Sequence, residues 1–221
     1  MLSGKPRFLP AQLKKDDVKR VYARLSRFYD GWGILTESKA VGRAIQLAHI
    51  RDGENVLEIA VGTGRVFEGI VSANGGGRNI GIDLSLEMLS IARRRLGGKS
   101  SNCLLEVADA YQLPFLDGSY DLLVNNYMFD LLPEQDFGRV LCEFRRVLKS
   151  RGRMVITTMT SGRRWYSRIW DLLIRKSPNL LAGCRPISLA RDIEQADFTN
   201  LHEEYVSQFT FPSLIVYAVK P

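Results

Sequence analysis

A chain of 221 residues that is 45% hydrophobic and 25% charged has enough apolar material for one domain with a sizeable core. This balance excludes a disordered chain, a collagen-like repeat and a disulfide scaffold. The three cysteines, Cys103, Cys142 and Cys184, are far apart in sequence and have neither zinc-site nor redox-motif spacing, so they are expected to be reduced, packed thiols of a cytosolic protein. The net charge of +7 is uneven: residues 1–30 carry +5, residues 161–176 carry +4, and the rest sums to −2. Two local basic excesses suit an anionic partner such as a lipid surface.

In chain order, residues 18–29 place Val18, Val21, Tyr22, Leu25, Phe28 and Tyr29 at helical spacing, with Lys19, Arg20, Arg24 and Arg27 largely between them. This is the pattern of a basic amphipathic helix. A second helix is expected over 36–49, ending before the turn signal Asp52-Gly53. Strands and helices then alternate. Strands are predicted at 55–60, 79–83, 103–107, 121–125 and 153–158, with helices from 65, at 85–96, 134–149 and 188–196. Two last strands, about 200–207 and 211–219, leave no room for a helix between them. Near-continuous apolar strands alternating with helices predict an α/β, Rossmann-like three-layer sandwich. Its seven-stranded, mostly parallel sheet would end in an antiparallel C-terminal hairpin. The chain reads as a single domain, residues 1–221, with a basic helical cap over 1–50 and a lid or insertion helix over 161–187. No segment reaches the length of a membrane span, and the N-terminus lacks the apolar run of a secretory signal.

In such a sheet, ligands sit beyond the carboxyl ends of the strands. Four strand ends here carry suitable chemistry. The first is Glu58-Ile-Ala60-Val-Gly62-Thr-Gly64-Arg65, whose glycines permit a sharp turn and close backbone approach. Asp83, 25 residues after Glu58, can accept two hydrogen bonds from a ribose diol. Asp109-Ala110 follows the third strand, and Asn125-Asn126 ends the fourth. The dinucleotide fingerprint G-x-G-x-x-G fails, because a reading from Ala60 puts Arg65 at its third glycine. There is no phosphate loop either. A nucleotide-dependent oxidoreductase and an NTPase are therefore disfavoured.

The segments LEIAVGTGR, GIDLSLEMLSIAR, DAYQLPFLDGSYD and the run from FRRVLKSRGRMVIT resemble class I S-adenosylmethionine-dependent methyltransferases of the UbiE-like type. YARLSRFYD also resembles the entry of bacterial phospholipid N-methyltransferases. The resemblance implies S-adenosyl-L-methionine as cofactor, with Glu58, Ala60, Gly62 and Gly64 cradling its amino acid part. It implies Asp83 on the ribose, Leu84 and Met88 near the adenine, and Asp109 and Ala110 on the adenine amino group and ring edge. Asn125 and Tyr127 would line the methyl side, Asn126 standing in for Asn125, and Tyr22 and Tyr29 would close the pocket. Tyr29 and Tyr127 are the acceptor-side candidates, and no catalytic base is assigned. This family usually has glycine where this chain has Ala60, which keeps a non-catalytic cofactor-binding protein as an alternative.

RRWYSRIWDLLIRK, within 161–187, mixes Trp, Tyr and Arg at helical spacing, as a membrane interface or a lid over an apolar acceptor would. The expected partner is a small or lipid acceptor, either a quinone precursor or a phospholipid head group, with peripheral contact to an anionic membrane. Nucleic acid is disfavoured, since no recognition module is evident. His49 and His202 are expected to be structural, and no metal cluster is expected.

Overall fold

The computed structural model describes residues 35–97, 102–162 and 184–221. The helix expected at 18–29 and most of the 161–187 insertion lie outside the described residues. Among the described residues five α-helices and seven strands follow in chain order: α1 (Ser38–Ala48), β1 (Asn55–Ile59), α2 (Arg65–Ala73), β2 (Arg78–Asp83), α3 (Leu86–Leu96), β3 (Cys103–Val107), β4 (Tyr120–Asn126), α4 (Phe137–Val147), β5 (Leu148–Met159), α5 (Ala190–Gln195), β6 (Thr199–Gln208) and β7 (Phe211–Val219). The strands form one sheet in the order β3-β2-β1-β4-β5-β7-β6. The pairs from β3 to β5 are parallel, while β7 runs antiparallel to both β5 and β6. This is the predicted fold, hairpin included. Chain order reverses between β1 and β4, which opens a crevice at their carboxyl ends.

Side chains of successive strand residues alternate between two cores. On one face Leu57, Ile59, Leu123, Ile156 and Val216 pack with Phe137, Phe144 and Ile193 of α4 and α5. On the other, Val56, Val124, Val155 and Ile215 meet Ala40, Ala44 and Ala48 of α1 and Ile70 of α2. Phe67, Leu89 and Ala92 extend this layer through α2 and α3 towards Leu105 of β3. The alanines of α1 recur every four residues, so a smooth helix stripe lies close against the sheet. Ser85 caps α3, its Oγ accepting from the Met88 N–H at 3.2 Å, and Gly97 ends it at φ 57°.

Helix α1 is fastened at both ends. Gln208, at the end of β6, accepts from the Lys39 N–H at 2.6 Å and donates to the Leu35 carbonyl at 2.8 Å. Arg153, near the amino end of the parallel part of β5, donates to the Ala48 carbonyl at 3.2 Å and pairs with Glu54 at 2.7 Å. Because β6 runs in the same direction as β5, these bonds put the start of α1 at the carboxyl edge of the sheet.

Two expectations need correction. The helix expected over 134–149 starts at Phe137, after a separate 3-10 turn at Glu134–Asp136, and ends at Val147, because β5 already begins at Leu148. None of the three thiols is in a disulfide; Cys184 is buried and Cys103 half-buried, but Cys142 is exposed. The apolar face of α4 runs through Val140, Leu141 and Phe144, and position 142 points away from it.

Candidate functional site

The turn after β1 is held in an uncommon backbone conformation. Ala60, Gly62 and Gly64 have φ of 60°, 53° and 77°. For glycine this region carries no steric penalty, but an L-residue there costs about 1–2 kcal/mol. Ala60→Gly is therefore expected to stabilise the chain by about 0.5–1 kcal/mol, after the glycine's extra unfolded-state entropy is subtracted. Thermal melting should show a rise of about 2 °C.

Three neighbours fix this turn. The Val61 N–H donates to the Ile82 carbonyl at 3.0 Å. The Gly62 N–H donates to Asp83 Oδ2 at 2.9 Å. Arg95 of α3 donates to the Thr63 carbonyl at 3.0 Å. An ideal Cβ on Gly64 would lie 2.6 Å from the Ala92 Cβ, so α3 passes too close for any side chain there. A Cβ on Gly62 would meet nothing within 4 Å, so this part of the turn borders open space.

Asp83 ends β2. Its Oδ1 accepts from the Ser85 N–H at 2.9 Å while Oδ2 holds Gly62, the Leu84 N–H also bears on the carboxylate, and acceptor capacity remains. Burial raises its pKa and these backbone donors counter part of the rise. Glu58 is wholly buried beside it, with Oε2 lacking a partner. Burial first, and then the like charge of Asp83, push the Glu58 carboxyl well above the usual range. Leu84 is half-buried and Met88 buried. Asp109 follows β3, half-buried, and accepts from the Tyr111 N–H at 3.1 Å, with Ala110 buried next to it.

At the end of β4 the two asparagines diverge. Asn125 donates to the Ile59 carbonyl at 2.9 Å, bracing β4 against β1 from the α4 side of the sheet. Asn126 is paired in register with Thr157 of β5 on the α1 side. Both amide atoms of Asn126 and the Thr157 Oγ1 are buried without hydrogen-bond partners. Tyr127, at φ 51°, turns the chain, and its hydroxyl meets Ser213 Oγ at 2.7 Å.

The structure thus brings Glu58, Ala60, Gly62, Gly64, Asp83, Leu84 and Met88 to adjacent ends of β1 and β2, and Asn125, Asn126 and Tyr127 to the end of β4 beside them. Tyr22 and Tyr29 lie outside the described residues. His49 caps α1 at the opposite edge of the sheet from these groups, and His202 lies on the outer strand β6. Among the described residues no group of three or more His, Cys, Asp or Glu is placed to hold a metal ion, and no helix is long and apolar enough to cross a membrane.

Sequence reasoning passed over three polar residues that the fold draws to this end. Glu37 precedes α1 and is 9% exposed. Asp130, after β4, is wholly buried and accepts from the Met159 N–H at 2.9 Å. Arg185 is buried and donates to the Asp130 carbonyl at 2.6 Å. A signal existed for Glu37, which stands three residues before Ala40 and so on the buried alanine stripe of a helix.

Comparison with known proteins agrees with this geometry. A family profile described as "Methyltransferase domain" matches residues 56–152. The chain is 31% identical over 169 residues to the demethylmenaquinone methyltransferase of Thermotoga maritima, covering 73% of this chain and 70% of that protein. It is 30% identical over 174 residues to the ubiquinone/menaquinone biosynthesis C-methyltransferase UbiE of Xylella fastidiosa, covering 75% and 68%. Against the first two curated relatives it matches, the chain spans 52% and 63% of their length. Among solved structures, the [4+2]-cyclase SpnF superposes with a TM-score of 0.76 at 16% identity, over 98% of this chain and 99% of that one, a likeness of fold alone. A glycine turn tied to an acid at the β1/β4 crevice, within a sequence shared at this level, shows that the chain belongs to the class I S-adenosylmethionine-dependent methyltransferases of the UbiE-like type.

Proposed function

We propose that this chain transfers the methyl group of S-adenosylmethionine to a small lipophilic acceptor, a reduced quinone precursor being the leading candidate. The observation that carries the reading is the bond from the Gly62 N–H to Asp83, which makes the open turn and the acid two walls of one cleft. The residues present fit the cofactor. Glu58 offers an unpartnered buried oxygen to an ammonium group, whose positive charge would counter the burial that pushes this carboxyl up. The free lone pairs of Asp83 suit two ribose hydroxyls. Leu84 and Met88 flank the base, Asp109 accepts from its amino group, and Ala110 packs on its edge. When bound, the cofactor supplies a methyl group already activated on a sulfonium.

The protein's part is alignment and exclusion of water, worth about 7–11 kcal/mol when a bimolecular step becomes effectively unimolecular. The acceptor class is supported by the names of the two curated relatives, which are 31% and 30% identical to the chain over 169 and 174 aligned residues. Basic stretches at 1–30 and 161–176 suit delivery of that acceptor from an anionic membrane surface.

The test has two stages. Calorimetry should show S-adenosylhomocysteine binding, and absence of heat would remove the cofactor reading. Methyl-labelled S-adenosylmethionine is then offered with a short-chain demethylmenaquinol and, in parallel, with phosphatidylethanolamine vesicles. Label is expected in the quinol; label only in the lipid would reassign the acceptor.

A further inference from the structure

The start of α1 stands over a set of polar groups on the methyl side, beyond the residues from Glu58 to Ala110 assigned to the cofactor. The α1-side face of the sheet ends in Asn126 of β4, Thr157 of β5 and Ser213 of β7. Asn126 and Thr157 bury donors and acceptors without protein partners, an arrangement that natural structures reserve for a ligand or water. Tyr127, Met159, Cys184 and Phe211 form an apolar cluster beside them, against which Val41 of α1 packs. Val41 lies one turn beyond Glu37 and its N–H donates to the Glu37 carbonyl, so Glu37 starts the same helix face. The Glu37 side chain makes no capping bond, and its charge is felt by both Tyr127 and Asp130.

We propose that Glu37 is the general base of the acceptor side and that the acceptor carries an ionisable hydroxyl whose proton Glu37 takes. This deepens the methyl-transfer reading above and rests on it.

The neighbouring groups are unsuited to this task for separate reasons. The Tyr127 hydroxyl is held by Ser213, and burial moves it well above its ordinary value. Asp130 is wholly buried with one oxygen on the Met159 N–H, and burial pushes its carboxyl well above the usual range. Arg185 faces it but donates to the backbone carbonyls of Asp130 and Leu132. Glu58 faces the cofactor half. Glu37 differs in its balance. Burial pushes its carboxyl up, and the Arg65 guanidinium of α2 pulls it back, leaving it at about 7. A base that is half ionised near neutral pH has the best compromise between availability and proton affinity.

In the proposed step the acceptor O–H bond breaks, and its electron pair stays on oxygen and conjugates to the ring carbon. The proton passes to a Glu37 carboxylate oxygen. As the ring carbon bonds to the methyl carbon, the sulfur–methyl bond breaks and sulfur keeps its electron pair. The ring carbon then loses its hydrogen as a proton to water, and Glu37 returns its own proton to the oxygen. One proton leaves per methyl group, and Glu37 ends ionised as it began.

The experiment uses the full chain with Glu37→Gln and Glu37→Asp, assayed on the short-chain demethylmenaquinol. Wild-type kcat should rise along an acid limb with a midpoint near 7. Glu37→Gln should lower kcat at least about 100-fold, the lower end of what general bases contribute, and abolish the limb. Its affinity for S-adenosylhomocysteine should stay within about threefold of wild type, which a misfolded protein would not retain. Glu37→Asp should restore part of the limb. Turnover of Glu37→Gln within about threefold of wild type, or an unchanged limb, overturns the proposal. If wild type binds S-adenosylhomocysteine but leaves the quinol unmethylated, the acceptor class is what has failed. The carboxyl carbon of Glu37, assigned by difference from Glu37→Gln in 13C-glutamate-labelled protein, then decides the base: a midpoint near 7 upholds it and one below about 5 overturns it.

Discussion

Asp83→Ala should weaken S-adenosylhomocysteine binding at least about 100-fold in calorimetry. The carboxylate has two duties. Facing inward, it receives the N–H groups of Gly62 and Ser85, at 2.9 Å each, so it shapes the glycine turn and the entry to α3 together. Facing outward, its remaining lone pairs are the acceptors proposed for the ribose. Hydrogen bonds to a charged group contribute about 1.5–3 kcal/mol each, so losing one net bond of this kind with the turn's brace exceeds tenfold and losing two exceeds a hundredfold. Asp83→Asn should fall between wild type and Asp83→Ala. Its amide keeps one acceptor oxygen but turns an NH2 group towards a backbone N–H. Affinity of Asp83→Ala within about fivefold of wild type would place the ribose elsewhere.

The second large effect concerns stability. Gly64→Ala should lower stability by about 2–4 kcal/mol. Two independent terms add: φ of 77° is unfavourable for any L-residue, and the new methyl would sit 2.6 Å from the Ala92 Cβ and 2.9 Å from its Cα. For a chain of this size that is a loss of about 10 °C in melting temperature. Gly62→Ala is the control. It shares the positive φ but meets open space, so only the backbone term of about 1 kcal/mol applies. Adding Ala92→Gly to Gly64→Ala should recover only part of the packing term, since the Cα of residue 92 stays 2.9 Å from the new methyl, and should leave the backbone term in place. Equal melting temperatures for the two single variants would show that α3 yields to the added methyl.

The sheet was legible because each strand carries its own record. NVLEI, NIGID and YDLLVNN are apolar enough to be buried on both faces, and the spacing between them fits a helix or a return loop. The gathering of the proposed cofactor residues was legible for a related reason: glycines and acids at successive strand ends are local in sequence, and topology alone brings them together. Glu37, Asp130 and Arg185 were harder to read. Arg185 meets the Asp130 carbonyl across 55 residues, and nothing near either position announces the other. A buried polar residue looks in sequence like an exposed one until its surroundings are known. The β3–β4 connection shows the same limit. Arg146 of α4 binds the carbonyls of Leu113 and Phe115 and the carboxylates of Glu143 and Asp117, holding a helix-free loop against the core. In the sequence it is one arginine among several.

The double fastening of α1 has a consequence for how such a protein diversifies. The groups assigned to the cofactor, from Glu58 to Ala110, lie inside the stretch shared with the wider family, residues 56–152. Glu37 lies upstream of that stretch, and Gln208, which seats its helix, lies downstream on the penultimate strand. Two elements that flank the shared stretch, α1 before it and β6 after it, therefore meet at the carboxyl edge of the sheet, where the acceptor side is proposed. Under the proposed assignment, substitutions in α1 and β6 can retune what is methylated and leave the cofactor residues of the shared stretch as they were.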